Sequence, residues 1–184
     1  ELRRLTGPFL LRRTKSHVLS ELPPRTEIAL HIELSPPERA LYEELRRKAN
    51  EGLEKLGQRF QLLAHLTRLR QACCHPRLLL DQPGLTSSKL EAFFELFEDL
   101  QAGRHRCLVF SQFTSLLDLL EAELRQRGVS YQRLDGSTSA AERRSRVEAF
   151  QQGQGDLFLI SLKAGGTGLN LTAADYVIHL DPWW

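Results

Sequence analysis

The chain has 184 residues, of which 41% are hydrophobic and 26% charged, and its formal net charge is +2 at pH 7. These values are typical of a globular protein with one domain, or one domain and an appendage, and so small a charge does not by itself predict nucleic-acid binding. The apolar runs are too short for a membrane span and no signal peptide is recognisable, so we expect no membrane partner.

The first part of the chain is basic and then becomes regular. Residues 1–25 form a basic lead-in that ends at Leu22-Pro23-Pro24. Residues 26–34 alternate between polar and apolar side chains, which predicts a half-buried strand. The apolar members of this alternation are Ile28, Leu30, Ile32 and Leu34.

Two helices are predicted next. Ser35 as the N-cap and Glu38 at the third helical position predict a capping box, which opens a helix that continues to about Asn50. A second helix is predicted from Arg59 to about Cys74, where His75-Pro76 stops it. Together with the preceding strand, these helices predict a protrusion beside a core.

From residue 87 onward, short apolar runs alternate with amphipathic segments. The predicted strands are 107–110, 131–134, 157–160 and 176–180, and the helices between them begin near Lys89, Ser115 and Ser139. This alternation predicts an α/β fold in which helices flank both faces of a mostly parallel sheet. Ser115 with Asp118 and Ser139 with Glu142 are predicted to cap their helices. The predicted organisation is thus a lead-in at 1–25, a strand plus helical protrusion at 26–86, and a core at 87–184.

One loop of this core has the composition of a phosphate site. Lys163 lies on it with Gly165, Gly166 and Gly168. The loop follows the carboxyl end of a predicted parallel strand, where ligands bind in open α/β sheets, and glycines let backbone N–H groups approach an anion. The residues that follow match neither a P-loop nor a dinucleotide fingerprint. A glycine-rich turn that only reverses the chain stays open as an alternative.

Several sequence blocks occur together in a characteristic order. They are Pro8–Lys15 followed by Leu22-Pro23, Leu69–Pro76, Ser87–Leu90, Val109–Phe113, Leu134–Thr138 with Arg143 and Phe150-Gln151, and Ser161–Asp175 with Asp181–Trp184. In order and spacing they resemble the second, C-terminal helicase lobe of the Swi/Snf-type ATP-dependent DNA translocases, within the second helicase superfamily. The resemblance covers nearly the whole chain, and the short link between Pro76 and Ser87, together with the bias toward arginine over lysine, favours a bacterial source. It implies a RecA-like lobe of an enzyme that hydrolyses ATP, translocates on double-stranded DNA and remodels protein–DNA complexes.

The resemblance also implies roles for individual residues. It places DNA-phosphate contacts at Ser111, Gln112, Gly136, Thr138, Lys163, Ala164 and Gly165. It places Gly168 and Asn170 on an ATP cleft, and it assigns no catalytic residue or metal ligand to this chain. Hydroxyls, backbone N–H groups and a single cation can hold phosphates without reading bases, which is what translocation requires.

Further parts are implied outside the chain. ATP and Mg²⁺ are expected as cofactors of the intact protein, with the Mg²⁺ ligands in an N-terminal lobe and the arginine fingers beyond Trp184. We therefore expect the chain to be a piece of a larger protein and inactive in ATP hydrolysis alone. The expected partners are double-stranded DNA, the N-terminal lobe, and a DNA-bound protein such as a polymerase or nucleoid protein. The expected location is the cytoplasmic nucleoid of a bacterium or the nucleus of a eukaryote.

Alternatives remain at the level of function and of residues 1–25. The chain could instead be a non-catalytic nucleic-acid-binding or protein-binding module of RecA-like fold, or an RNA helicase lobe. Residues 1–25 are either a brace linking the two lobes or a solvated run of charge. A comparison of duplex DNA with RNA as the stimulator of ATP hydrolysis discriminates between the helicase readings.

Other chemistry is disfavoured. The adjacent residues Cys73-Cys74-His75 cannot wrap around one tetrahedral ion, so we expect Cys73 in the core and His75 as a helix stop. The cysteines show no disulfide framework, which favours a reducing compartment. His179 is expected to be a core histidine, Asp175 to anchor its loop and Asp181 to end a strand, since no nucleophile or base accompanies the two carboxylates.

Overall fold

The computed structural model describes residues 26–56, 59–82, 84–165 and 168–182. The chain divides into two compact units, Glu1–His31 and Ile32–Trp184. In the first unit the described residues are 26–31, and they contain no helix or strand. The basic lead-in at 1–25, Gly166 and the Trp183-Trp184 pair lie outside the described residues.

The second unit holds the regular structure. Its helices are α1 (Pro36–Leu56), α2 (Arg59–Ala72), α3 (Ser88–Ala102), α4 (Thr114–Gln126), α5 (Ala140–Gln151) and α6 (Leu162–Gly165), with a 3-10 helix at Pro76–Leu78. Its strands are β1 (Cys107–Ser111), β2 (Tyr131–Leu134), β3 (Leu157–Ser161) and β4 (Tyr176–His179). Among the described helices, none is both long and apolar enough to cross a bilayer.

The four strands form one parallel sheet in the order β2-β3-β1-β4. In the central pair, Val109 of β1 lies opposite Leu159 of β3. All five residues of β3 are buried, as expected for a strand covered on both faces. The parallel sheet with flanking helices confirms the predicted α/β fold class.

Two apolar layers cover the two faces of the sheet. Because successive side chains of a strand point to opposite faces, Cys107 and Val109 pack in one layer and Leu108 in the other. The first layer is completed by α3 and α4, with Phe97 and Leu120 almost completely buried. In the second layer, α5 and the loop after α6 pack on the opposite face. The sheet is therefore the middle layer of three, and its loops emerge at its ends.

The helices α1 and α2 pack against each other before the core begins. Glu38, which is only 3% exposed, links the start of α1 to the start of α3. Its carboxylate accepts the N–H of Ser35 at 2.9 Å, the Ser35 hydroxyl at 2.7 Å, the N–H of Ser88 at 3.2 Å, and the Ser88 hydroxyl. Burial opposes ionisation of this carboxyl, but the four hydrogen bonds outweigh it and lower the pKa of Glu38.

Most predicted boundaries agree with the observed ones, and three features differ. The strand predicted at 26–34 is absent, because none of these residues forms part of a strand. Helix α1 continues past Asn50 through Gly52, because a single interior glycine costs only about 1 kcal/mol. Helix α4 begins at Thr114 after Phe113 without a side-chain cap, so the predicted pairing of Ser115 with Asp118 is wrong. By contrast, the capping box predicted at the start of α5 is confirmed.

Candidate nucleic-acid interface

The predicted site residues gather at one edge of the sheet. Ser111 at the end of β1 lies opposite Ser161 at the end of β3, and Leu134 at the end of β2 lies opposite Ile160. Because all strands are parallel, the loops that follow them leave from the same, carboxyl edge. All the residues predicted to contact DNA or ATP lie at this edge or in the loops that start there.

Ser111 and Gln112 are held by Asp181, which follows β4. The Ser111 hydroxyl donates to Oδ1 of Asp181 at 2.5 Å and accepts the N–H of Phe113 at 3.0 Å. The backbone N–H of Gln112 donates to both carboxylate oxygens at 3.2 Å. Asp181 is 1% exposed and Ser111 is fully buried, so this hydroxyl is engaged within the protein. Asp181 thus does more than end a strand, because it fixes the turn after β1.

Gly136 and Thr138 lie on the turn after β2, which Asp135 organises. Asp135 accepts the N–H of Ser137 at 2.9 Å and its hydroxyl at 2.6 Å, and its own N–H donates to the Thr138 hydroxyl at 3.1 Å. The hydroxyl bond from Ser137 is the main reason that the pKa of Asp135 is lowered. Gly136 is exposed, and a Cβ added there would meet no heavy atom within 4 Å. The backbone at Gly136 is therefore open to a ligand.

A polar groove of about 390 Å³ lies beside this turn. Its most strongly paired charge is Arg133, which contacts Asp118 at 2.7 Å, Glu121 at 2.5 Å and Asp135 at 3.0 Å. Burial opposes the charge of Arg133, but these hydrogen bonds outweigh burial and raise its pKa. Three surrounding carboxylates compensate this guanidinium, so the groove is not a cationic phosphate pocket.

Lys163, Ala164 and Gly165 form most of the short helix α6. The side chain of Lys163 is exposed and makes no hydrogen bond or ion pair with the described residues. The N–H of Ala164 lies 3.4 Å from the Ser161 hydroxyl, and its carbonyl accepts a hydrogen bond from Arg143. The carbonyl of Ala164 is thus fixed, while the ammonium of Lys163 extends into solvent.

Glycine is required at position 165 by close packing. A Cβ added there would lie 2.8 Å from Cε1 of Phe110, which is closer than real Cβ contacts. This contact lets α6 approach β1 and keeps the Lys163 loop against the sheet.

Gly168 and Asn170 lie on the next segment, which Gln151 of α5 holds in place. The side-chain amide of Gln151 donates to the carbonyl of Asn170 at 2.9 Å and accepts the N–H of Ala173 at 2.9 Å. Gly168 has a φ of 54°, a conformation that favours glycine, and both Gly168 and Asn170 are exposed. The sequence blocks included Phe150-Gln151, but they did not predict these two hydrogen bonds of Gln151.

Arg70 is a cation at this edge of the sheet that the sequence did not single out. It lies in the last turn of α2, yet its guanidinium reaches Gln112 Oε1 at 2.9 Å and the carbonyl of Pro182 at 2.5 Å. Nη2 of Arg70 also lies 3.7 Å from Oδ2 of Asp181. Nearby, Lys89 donates to the carbonyl of Leu180 at 2.8 Å. Arg70 and Lys89 both lie in sequence blocks that carried the family resemblance. Membership of these blocks was the signal by which the sequence could have identified them.

Two residue-level expectations are wrong. His179 is exposed and stacks on Phe110 with ring centroids 5.3 Å apart, because β4 lies at the edge of the described sheet and lacks a strand on its outer side. Cys73 is half-buried, and its neighbour Cys74, 1% exposed, occupies the core. Burial raises the pKa of Cys74 to about 11.

Other expectations for this region agree with the geometry. His75 follows the end of α2 and is the N-cap of the 3-10 helix. Its side chain accepts the N–H of Arg77 at 3.0 Å. Asp175 contacts His105 Nδ1 at 3.1 Å before β4, whereas Asp181 follows β4. The strand between them separates the two carboxylates by about 20 Å, so they are no catalytic pair.

Comparison with protein families gives two matches along the chain. The family described as the helicase conserved C-terminal domain matches residues 88–184. The family described as the SNF2-related domain matches residues 1–78.

Curated relatives match over the whole chain. A putative ATP-dependent helicase/translocase of Bacillus subtilis is 40% identical over 195 residues, covering 100% of this chain and 21% of the relative. An uncharacterized ATP-dependent helicase of Mycoplasma pneumoniae is 36% identical over 184 residues, covering 97% of this chain and 18% of the relative. An ISWI chromatin-remodeling complex ATPase of Arabidopsis thaliana is 37% identical over 197 residues, covering 100% of this chain and 19% of the relative. The chain spans about a fifth of the length of the curated relatives it matches.

Solved structures agree with the sequence matches. The Sulfolobus solfataricus SWI2/SNF2 ATPase core in complex with dsDNA superposes with a TM-score of 0.79 at 26% identity, covering 100% of this chain and 41% of that chain. The C-terminal domain of a SWI2/SNF2 ATPase from the same organism gives a TM-score of 0.76 at 26% identity, covering 84% of this chain and 71% of that chain.

Proposed function

The chain belongs to the helicase C-terminal domain family in its SNF2-related branch, and on that premise we propose that it is the C-terminal lobe of a DNA-dependent ATPase. The intact protein translocates on double-stranded DNA and remodels protein–DNA complexes. Its partners are duplex DNA, an N-terminal lobe of the same chain, and a DNA-bound protein that is displaced. In a bacterial cell it acts at the nucleoid, and in a eukaryotic cell in the nucleus.

One observation carries this proposal. The carboxyl edge of the sheet presents an exposed cation and an open glycine backbone on neighbouring loops, at Lys163 after β3 and Gly136 after β2. Such groups hold phosphates without reading bases, and a motor that steps along any sequence needs contacts of this kind. The similarity to an ATPase core described as a complex with dsDNA supports the same assignment.

The proposed roles follow from the geometry of each loop. The Lys163 ammonium attracts a backbone phosphate, and the N–H groups near Gly136 and Gly165 donate to phosphate oxygens. Ala164 keeps α6 in place because Arg143 fixes its carbonyl. Thr138 contributes its hydroxyl, which already accepts the Asp135 N–H at 3.1 Å and can still donate its own proton.

The turn after β1 has a different part in the proposal. Gln112 is the residue of this turn that we propose for a DNA contact, and Ser111 acts mainly by orienting Asp181. A direct phosphate contact by the Ser111 hydroxyl requires the proton that it now donates to Asp181. We therefore assign Ser111 to the DNA edge as a supporting group.

ATP is proposed to contact Gly168 and Asn170, both of which are exposed. Bound ATP supplies free energy by hydrolysis, and the residues of this chain bind and position it. Gln151 holds the segment at Asn170 and Ala173, so it maintains the orientation of the proposed ATP contacts. The described residues contain no grouped Mg²⁺ ligands, and the proposal places those ligands in the N-terminal lobe.

ATP hydrolysis by the full-length protein tests the proposal. We expect duplex DNA to stimulate turnover, and Lys163→Ala to weaken that stimulation and to reduce the salt dependence of DNA binding by about one charge. Lys48→Ala is the matched control, because Lys48 is an exposed lysine on α1 paired with Glu44 at 2.5 Å. Turnover that ignores DNA would refute the translocase and leave a binding module, and preferential stimulation by RNA would indicate an RNA helicase lobe.

A further inference from the structure

We propose that Arg70 is a positioning residue that orients the side-chain amide of Gln112 for contact with a DNA phosphate. This inference rests on the proposed function and adds a residue from the helical protrusion to it. Through Arg70, the last turn of α2 is connected directly to the DNA-facing turn after β1.

The contacts of Arg70 are specific and largely shielded from water. Its side chain is 18% exposed, and Nη1 donates to Gln112 Oε1 at 2.9 Å. Nη2 donates to the carbonyl of Pro182 at 2.5 Å, and the guanidinium lies 5.7 Å from the centre of the Phe113 ring. Each of the two terminal nitrogens therefore has a partner on a different segment of the carboxyl edge.

The chemistry of arginine determines which atom of the Gln112 side-chain amide faces Arg70. A guanidinium has only donors, so the amide atom that faces Arg70 has to be the oxygen. The NH₂ group of Gln112 then points elsewhere, and its nitrogen is buried with no hydrogen-bond partner among the described residues. The backbone N–H of Gln112 is already used by Asp181 at 3.2 Å. The side-chain NH₂ is thus the free donor of this residue.

The Gln112 NH₂ nitrogen is buried in this arrangement, so a phosphate oxygen reaches it only once the side chains that cover it move, and an unpaired donor favours such a rearrangement. Leaving a buried N–H unpaired costs free energy, and an acceptor oxygen that reaches it recovers that cost. Phosphate oxygens are acceptors only, so they match an amide that Arg70 holds with its donors free. Without Arg70, the Gln112 amide can rotate and present its oxygen, which repels a phosphate.

Arg70 also supports Asp181 and Pro182, so its loss affects stability as well as DNA binding. The test is therefore a double-mutant cycle on DNA binding by the full-length protein, with Arg70→Met, Gln112→Ala and the double variant on a short fluorescent duplex. We expect each single variant to raise the DNA Kd about fivefold, and the double variant to raise it no further. Arg68→Met is the matched control, since Arg68 is exposed on the same helix and makes no hydrogen bond or ion pair with the described residues.

A charge-changing variant separates orientation from stability. Gln112→Glu keeps an acceptor for Arg70 but replaces the NH₂ donors with a carboxylate oxygen. We expect this variant to melt near the wild-type temperature and to bind DNA at least as weakly as Gln112→Ala.

The outcomes distinguish this inference from the proposed function. If Arg70→Met weakens DNA binding by the same factor with and without Gln112, or if Gln112→Glu binds as tightly as wild type, Arg70 does not act through Gln112. If the wild-type protein does not bind DNA at all, the proposed function fails and this inference fails with it.

Discussion

Glu38 joins the beginning of α1 to the beginning of α3, and its removal should destabilise the protein. The carboxylate is 3% exposed and accepts four hydrogen bonds, two from Ser35 and two from Ser88. The two bonds from Ser88 connect segments that are distant in sequence. A hydrogen bond to a charged group contributes about 1.5–3 kcal/mol, so the loss of these two at the lower value gives about 3 kcal/mol for Glu38→Ala.

Chemical denaturation at pH 7 measures this quantity directly. Glu38→Gln should lower the free energy of unfolding by about half as much as Glu38→Ala. Its amide oxygen still accepts from one serine, while its NH₂ group cannot accept a backbone N–H. Glu43→Ala is the control, since Glu43 is a half-exposed residue of the same helix that pairs with Arg46 at 2.8 Å. Such a surface pair contributes less than about 1 kcal/mol. A Glu38→Ala variant as stable as the control would refute the reasoning.

The pH dependence of stability provides a second check on Glu38. Its folded-state pKa is lowered, despite burial, by the hydrogen bonds from Ser88 and Ser35. The unfolded-state pKa is about 4.3, so the stabilisation is present above that pH and is lost as the pH falls through the lower folded-state value. The stability difference between wild type and Glu38→Gln should be constant from pH 5 to 7 and should shrink below about pH 4.

Three further outcomes are expected. Gly165→Ala should lower stability by about 1–3 kcal/mol in denaturant titration, because its Cβ would lie 2.8 Å from Cε1 of Phe110, whereas Gly136→Ala, with nothing within 4 Å, should leave stability within about 0.5 kcal/mol. Burial raises the pKa of Cys74 to about 11, so a thiol reagent at pH 8 should modify it much more slowly in the native protein than in denaturant; equal rates would contradict its place in the core. The 184-residue chain alone should show no ATP turnover in a phosphate-release assay, and measurable turnover would overturn its assignment as one lobe of a two-lobe enzyme.

The strands and helices of the core could be predicted from the sequence because the patterns that indicate them are local. The two central strands, β1 and β3, are short apolar runs between turns, and Ser139 with Glu142 forms the predicted cap within a single helical turn. The prediction of a strand at 26–34 was wrong because a strand depends on more than its local pattern. Alternating residues predict an extended conformation, but a strand also needs a neighbour for its backbone, and residues 26–34 are not part of a strand.

The site was predictable at the level of loops and not of contacts. The family blocks point to loops that the structure brings together at the carboxyl edge of the sheet, and DNA contact by these loops stays a prediction. The bond between Ser111 and Asp181 joins positions 70 apart in sequence, and the bond between Arg70 and Gln112 joins positions 42 apart. Such pairs follow from packing, which no local pattern specifies. The exposure of His179 likewise depends on β4 lying at the edge of the described sheet, which the apolar run alone does not reveal.

The strand order has a consequence for synthesis on the ribosome. β3 lies between β1 and β2 and forms a parallel ladder with each, while β1 and β2 are not neighbours. As the chain is made from its N-terminus, β1 and β2 emerge with no ladder partner until β3 follows. At roughly 5–20 residues per second, the interval from Leu134 to Ser161 lasts a few seconds. During that interval Leu108 lacks Phe158 and Ile160 of β3, which belong to its apolar layer, so nascent chains of this protein should engage holding chaperones until β3 has emerged.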